Sequence, residues 1–143
     1  AASDVYKRQT YSDRQSSART GHYVQSVAEQ YHYGYVHPQE SGTHVGLKWF
    51  RLTDDSGYGL EITSPAQFSA SALPYATADL DVSNFPPQQH SGTLVARDAT
   101  FVNFDLRQSG LGCIDSWGAL PEKQFRVPYG DYTFRFMLKP TVK

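Results

Sequence analysis

Leu47-Lys48-Trp49-Phe50-Arg51-Leu52-Thr53, followed by Asp54-Asp55-Ser56-Gly57 and then Tyr58-Gly59-Leu60-Glu61-Ile62-Thr63, is the stretch that decides the fold. In an extended chain successive side chains point to opposite faces, so Leu47, Trp49 and Arg51 share one face and Lys48, Phe50 and Leu52 the other. Two aspartates, a serine and a glycine in a row form a turn, because their side chains bond local backbone and glycine accepts positive φ. Tyr58 to Thr63 supplies the return strand, and the whole reads as a β-hairpin.

The same signals recur downstream. Phe68 to Ala72 is a weaker strand ended by Pro74, Ala76 to Val82 is helical or irregular, and the two prolines of Asn84-Phe85-Pro86-Pro87 make a loop. Thr93 to Arg97 and Thr100 to Leu106 predict a second hairpin around Asp98. Ser109 to Leu120 is a Gly-rich loop, Lys123 to Val127 a strand, and Pro128-Tyr129-Gly130 a turn. At the end, Tyr132, Phe134, Phe136 and Leu138 alternate with Thr133, Arg135, Met137 and Lys139. The sum is about seven short strands at roughly ten-residue spacing, which predicts an all-β chain, an antiparallel β-sandwich.

Upstream of the hairpin, residues 11–45 show no helical period. Ser26 to Tyr31 has room for a turn or two of helix, bracketed by Gly21 and Gly34 and followed by Pro38. The segment reads as an extended, irregular strap laid over a neighbouring surface. Ala1 to Thr10 (AASDVYKRQT) has no apolar core of a signal peptide. It is read as a foreign junction or a frayed, disordered leader, with one domain over residues 11–143.

Composition agrees with an aromatic sheet. Of 143 residues 39% are hydrophobic, 19% charged and 14% aromatic, with ten Tyr and eight Phe. Eleven Gly and eight Pro supply the reversals. This balance excludes a disordered acidic or basic tail. A net charge of −1 leaves no basic surplus for a phosphate backbone, so no nucleic-acid partner is expected. No apolar run approaches the ~20 residues that span a bilayer, so no membrane partner is expected either. The single Cys113 rules out a disulfide framework or a cysteine-built zinc site within the chain.

Candidate chemistry is sparse. Among 14 acids no pair announces itself: Asp54 and Asp55 lie in a turn, and Asp115 reads as a turn-former or Asx cap. A catalytic site needs several convergent groups, and none is expected here. His22, His32, His37, His44 and His90 lack helical pairing and read as surface or interface histidines before metal ligands. Neither a metal nor a cofactor is expected. Cys113 reads as a small filler in a tight loop. Trp117, between turn residues, has two open readings: a buried loop anchor, or a platform whose ring stacks on the apolar face of a sugar.

The loop Gly112-Cys113-Ile114-Asp115-Ser116-Trp117-Gly118 resembles the Gly-Gly-Asp-Asp-Ser-Trp loop in the C-terminal domain of the large β-galactosidases of glycoside hydrolase family 2. Other segments resemble that family in the same order. They are Tyr11-Ser12-Asp13-Arg14 with Ser17-Ala18, Glu29-Gln30-Tyr31, Tyr35-Val36-His37-Pro38-Gln39-Glu40-Ser41-Gly42, Lys48-Trp49, Asn103-Phe104-Asp105 and the Tyr132 to Leu138 run. The likeness covers Tyr11 to about Pro140, nearly the whole chain, and the set of motifs is specific where each alone is not. Cys113 and Ile114 stand where the family has Gly and Asp, His37 where it has Arg, and Ser41 where it has Asn.

The resemblance implies a fold: roughly the second half of a galactose-mutarotase-like supersandwich. It implies that the (β/α)8 barrel with two catalytic glutamates, and the first half of the domain, lie outside this chain as its partners. Glycoside hydrolysis needs two carboxylates flanking the bond, so the chain alone is expected to be inactive. The resemblance gives Trp117 a role in binding a β-galactoside substrate, lining the sugar site on the leaving-group side. A free-standing carbohydrate-binding module is the alternative. A mutarotase-like epimerase is a third reading, on fold analogy, and no His here has a motif-matched acid partner.

Overall fold

The structure, a computed structural model, describes residues 2–7, 11–14, 19–31, 42–80, 94–112, 114–115 and 117–142, the first of these as backbone. His32, His37, His90, the Tyr35 to Ser41 motif, the Asn84 to Pro87 loop, Cys113 and Ser116 lie outside the described residues. The chain is all-β, mostly antiparallel sheet with short helices, as a β-sandwich class requires. In chain order the elements are β1 (Ala2–Lys7), β2 (Thr20–Ser26), α1 (Val27–Gln30), β3 (His44–Thr53), β4 (Gly59–Leu73), α2 (Thr77–Leu80), β5 (Phe101–Asp105) and β6 (Met137–Thr141). They form one six-stranded sheet in the order β2-β1-β3-β4-β5, with β6 also on β4.

The β3–β4 hairpin is its centre. Asp54 Oδ1 accepts from the amides of Ser56 (2.8 Å) and Tyr58 (3.0 Å), and the Asp54 amide donates to Tyr58 O at 2.8 Å. Phe50 faces Ile62 and Leu52 faces Leu60, while Arg51 faces Glu61 on the other side of the sheet. There the Arg51 guanidinium pairs with the Glu61 carboxylate and lies 5.5 Å over the Trp49 ring, which also meets His22 at 5.4 Å. Phe50 and Leu47 are both completely buried, against the opposite parity predicted for them. The pairing register shifts twice along β3, between His44 and Leu47 and between Leu47 and Trp49. Bulges re-aim side chains, so strict alternation does not carry across them.

β4 runs through both segments that the sequence divides. Between Thr63 and Phe68 it carries residues unpaired with β3, among them Pro65, which has no N–H to offer a ladder. The upper half of β4 takes β5 on its far side, from Ser69↔Asp105 to Leu73↔Phe101. The lower half takes β6 on that side, from Gly59↔Thr141 to Thr63↔Met137. The core gathers Leu47, Phe50, Ile62, Phe68, Ala70 and Ala72, with Tyr23, Val27, Val102, Phe104 and Phe134 packed against it.

Several expectations are corrected. β2 lies inside the segment read as irregular; its residues alternate between exposed and half-buried, a pattern that its glycine and polar residues hide. The segment also holds α1, one short turn, whose start carries a reciprocal cap: the Glu29 amide donates to Ser26 Oγ at 3.2 Å, and the Ser26 amide to the Glu29 carboxylate at 2.8 Å. The backbone of β1 pairs with β2 and β3. The hairpin around Asp98 does not form. β5 pairs with β4 instead, and Arg97 is tied elsewhere, its amide to Pro74 O (2.8 Å) and its guanidinium to both oxygens of Asp79 in α2 (2.7 and 2.5 Å). Lys123–Phe125 is a 3-10 turn, not a strand.

The final strand is shorter and later than the alternation predicts. Its pairing begins at Met137 because β4 bulges where the ladder would continue, and Ser64 Oγ donates to Arg135 O (2.9 Å) in place of a ladder bond. Phe134 turns instead into an aromatic cluster, 6.4 Å from Phe68, 6.2 Å from Phe104 and 5.2 Å from Phe136. β6 contains Pro140, opposite Leu60 on the outer strand of the lower sheet. Among the described residues no helix is long and apolar enough to cross a membrane.

Candidate functional site

The Gly-rich loop after β5 is held at its base from both sides. On one side the Gly110 amide donates to Phe125 O (2.7 Å), and Arg126 Nε donates to Pro121 O (2.5 Å). On the other stands Asp13, some hundred residues earlier in the chain. Its two carboxylate oxygens accept from the backbone amides of Leu111 (3.0 Å) and Gly112 (2.8 Å). The adjacent Arg14 donates to Gly112 O and lies 3.4 Å from the Asp13 carboxylate. Both polar groups of the Gly112 backbone are thereby satisfied by consecutive side chains.

Two glycines make this approach feasible. A Cβ on Gly110 would stand 2.7 Å from Asp13 Oδ2, so any side chain there would push the carboxylate away. Gly112 has φ +70°, and a Cβ on it would stand 2.6 Å from Ala119 O, where the loop returns. At the tip Asp115 Oδ1 accepts from the amides of Trp117 (2.9 Å) and Ala119 (3.0 Å), the Asx role read from the sequence. Trp117 itself is 93% exposed. It is therefore no core anchor within this chain; an indole so open leaves its apolar faces to water.

The Asp13 side chain is only 7% exposed. Burial pushes its pKa up, but the Gly112 and Leu111 amides and the Arg14 charge outweigh that and hold it below the ordinary 3.8. A depressed carboxylate stabilises the fold above its unfolded pKa, and that contribution is lost as pH falls through the lower folded value. The loop base is therefore expected to loosen at a lower pH than an ordinary aspartate would allow. The amide proton shifts of Leu111 and Gly112, followed by NMR against pH, should titrate with a midpoint under 3.8; a midpoint above that value would contradict the arrangement.

Other described acids serve elsewhere. Asp54 serves the hairpin turn, Asp79 binds Arg97, and Glu61 binds Arg51. Asp105, opposite Ser69, is pushed up by partial desolvation though its side chain still reaches water. His22 packs on Trp49 and His44 is buried in β3. Among the described residues no three His, Cys, Asp or Glu side chains gather to hold a metal. Sequence reading isolated Trp117 and Asp115 but gave Asp13 and Arg14 no part in the loop. The signal available was an adjacent acid and arginine, charges in search of backbone partners, and a Gly-rich loop with amides to offer.

The two stretches that this clamp joins, Tyr11 to Arg14 and Gly112 to Gly118, are among those that carry the resemblance noted above. Residues 7–138 match the family described as Beta galactosidase small chain. The chain belongs to that family. Over 134 residues it is 34% identical to a β-galactosidase of Streptococcus thermophilus and 32% identical to one of Priestia megaterium. Over 132 residues it is 30% identical to one of Vibrio vulnificus. Each match covers 92% of this chain and 12% of the relative, so this small-chain segment spans about an eighth of the length of the β-galactosidases it matches.

Proposed function

We propose that this chain is a non-catalytic C-terminal part of a β-galactosidase, an enzyme hydrolysing terminal β-D-galactosides, and that its loop brings Trp117 to the leaving-group side of the sugar site. The observation that carries this reading is the exposure of Trp117, 93%, at the tip of a loop whose base is bonded on both sides. A large exposed aromatic ring on a held loop suits stacking on the apolar face of a pyranose. In this reading residues 11–143 form part of one domain. The rest of the enzyme, including a catalytic barrel and the remainder of the domain, is the partner, and the chain contributes no cofactor. Asp54, Asp79, Glu61 and Asp115 are committed to turns and ion pairs, which agrees with a catalytic pair supplied from elsewhere.

The test is Trp117→Ala in the complete enzyme, with KM and thermal midpoint measured together. By analogy with aromatic pairs, a stacked aromatic–sugar contact is worth about 1 kcal/mol, so substrate and acceptor binding should weaken several-fold. The midpoint should hold, because an exposed ring fills no core. A large fall in midpoint with KM unchanged would sink the platform. The 143-residue chain assayed alone on a chromogenic β-galactoside is expected to show no turnover. Turnover that vanished on mutating one of its own acids would overturn the non-catalytic reading.

A further inference from the structure

We propose that Asp13, assisted by Arg14, is the positioning residue of the Trp117 loop: it holds that loop in the one conformation that presents the indole to a sugar. The proposal rests on the platform reading of Trp117 and extends it to a residue that touches no substrate. One chain of contacts leads from Asp13 to the Trp117 backbone. Its carboxylate takes the amides of Leu111 and Gly112, which fixes the outgoing limb. Gly112 in turn packs against the Ala119 carbonyl of the returning limb, so close that a Cβ would not fit. Ala119 and Trp117 share the Asp115 carboxylate, so the limb that Asp13 sets also sets the tip.

The chemistry calls for a carboxylate. Two backbone N–H groups converge on one side chain, and an acceptor-only group with two oxygens satisfies both. Asparagine keeps one oxygen and turns an NH2 group toward the second amide, leaving two donors facing each other. Arg14 fits the same logic from the other side, as a donor aimed at the Gly112 carbonyl that an aspartate has no means of serving. Gly110 completes the device, since a side chain there would displace the carboxylate.

The test is Asp13→Asn in the complete enzyme, read by hydrogen exchange and by steady-state kinetics. The amides of Trp117 and Ala119 are expected to exchange about tenfold faster although their acceptor Asp115 is untouched, with β3 and β4 amides unchanged. KM is expected to rise about threefold to tenfold and kcat to stay within about twofold, the split expected when only binding geometry is lost. Unchanged exchange at Trp117 and Ala119 overturns the proposal. So does a loosened loop with normal KM in an enzyme whose Trp117→Ala variant has a raised KM. If Trp117→Ala also leaves KM unchanged while the loop loosens, Asp13 keeps its hold on the loop and the platform reading is what fails. Should Asp13→Asn disturb β3 and β4 as well, Arg14→Gln decides. It removes the charge and the reach of the guanidinium that donates to Gly112 O, at a partly exposed site, and it should loosen the same amides to a smaller degree; no loosening there overturns the proposal.

Discussion

Replacing Phe50 by alanine is expected to cost about 3–5 kcal/mol of folding stability. Phe50 is completely buried, faces Ile62 across the β3–β4 ladder and belongs to the cluster with Leu47, Phe68, Ala70 and Ala72. Removing its ring forfeits the transfer free energy of a large apolar group and leaves a cavity. Neighbouring alanines, already at minimal size, have nothing to extend into that cavity. A domain holds only about 5–15 kcal/mol in all. A sheet that leaves Leu60, Met137 and Leu138 half exposed or more is expected near the lower end of that range. Urea denaturation of the chain followed by circular dichroism should show the midpoint falling sharply, or no cooperative transition at all. Leu138→Ala, on the same face but half exposed, is the control and should cost much less. Equal effects would mean that the core does not centre on Phe50.

Gly112→Ala is expected to disrupt the loop strongly, and its damage should be local. At φ +70° an L side chain costs about 1–2 kcal/mol, and the added Cβ would stand 2.6 Å from Ala119 O. The loop has two ways to relieve the contact: the returning limb moves away, or the peptide turns over and withdraws its amide from Asp13. Either displaces Trp117 without touching Phe50 or the hairpin. The expected signature is a modest fall in thermal midpoint together with a large loss of amide protection between Leu111 and Ala119. In the complete enzyme the KM should rise at least as much as for Trp117→Ala. A variant with the protection pattern of the unaltered chain would show that the loop tolerates the side chain and that the close approach at Ala119 is not required.

The β3–β4 hairpin was legible because its information is local. Alternation in Leu47 to Thr53, the Asp54 to Gly57 turn and the apolar return strand all sit within one short window, and the sheet class follows from them. What was not legible depended on distant partners. Thr93 to Arg97 was expected to form one arm of a hairpin, yet Arg97 finds Asp79 and Pro74, and those bonds draw the segment away from β5. Tyr132 to Phe136 alternates as well as any strand in the chain. Whether it pairs is decided by the bulge of β4 around Pro65, seventy residues away in sequence. The candidate site divides in the same way. Trp117 and the Asx role of Asp115 follow from the composition of one loop, whereas the grip of Asp13 on Leu111 and Gly112 is a tertiary contact that spacing does not encode.

Pro140 gives the lower sheet a property that bears on solution behaviour. Among the described residues β6 is joined to β4 along one side only, and its other side is a row of backbone groups, the usual template for adding a strand from another molecule. A proline in that row has no N–H, and its ring stands where an incoming carbonyl would seek one. Lys139 beside it adds a charge that a dry intermolecular stack would have to bury. The edge is thus tolerant of solvent and a poor seed for fibrillar self-assembly, even with Met137, Leu138 and Val142 exposed along it.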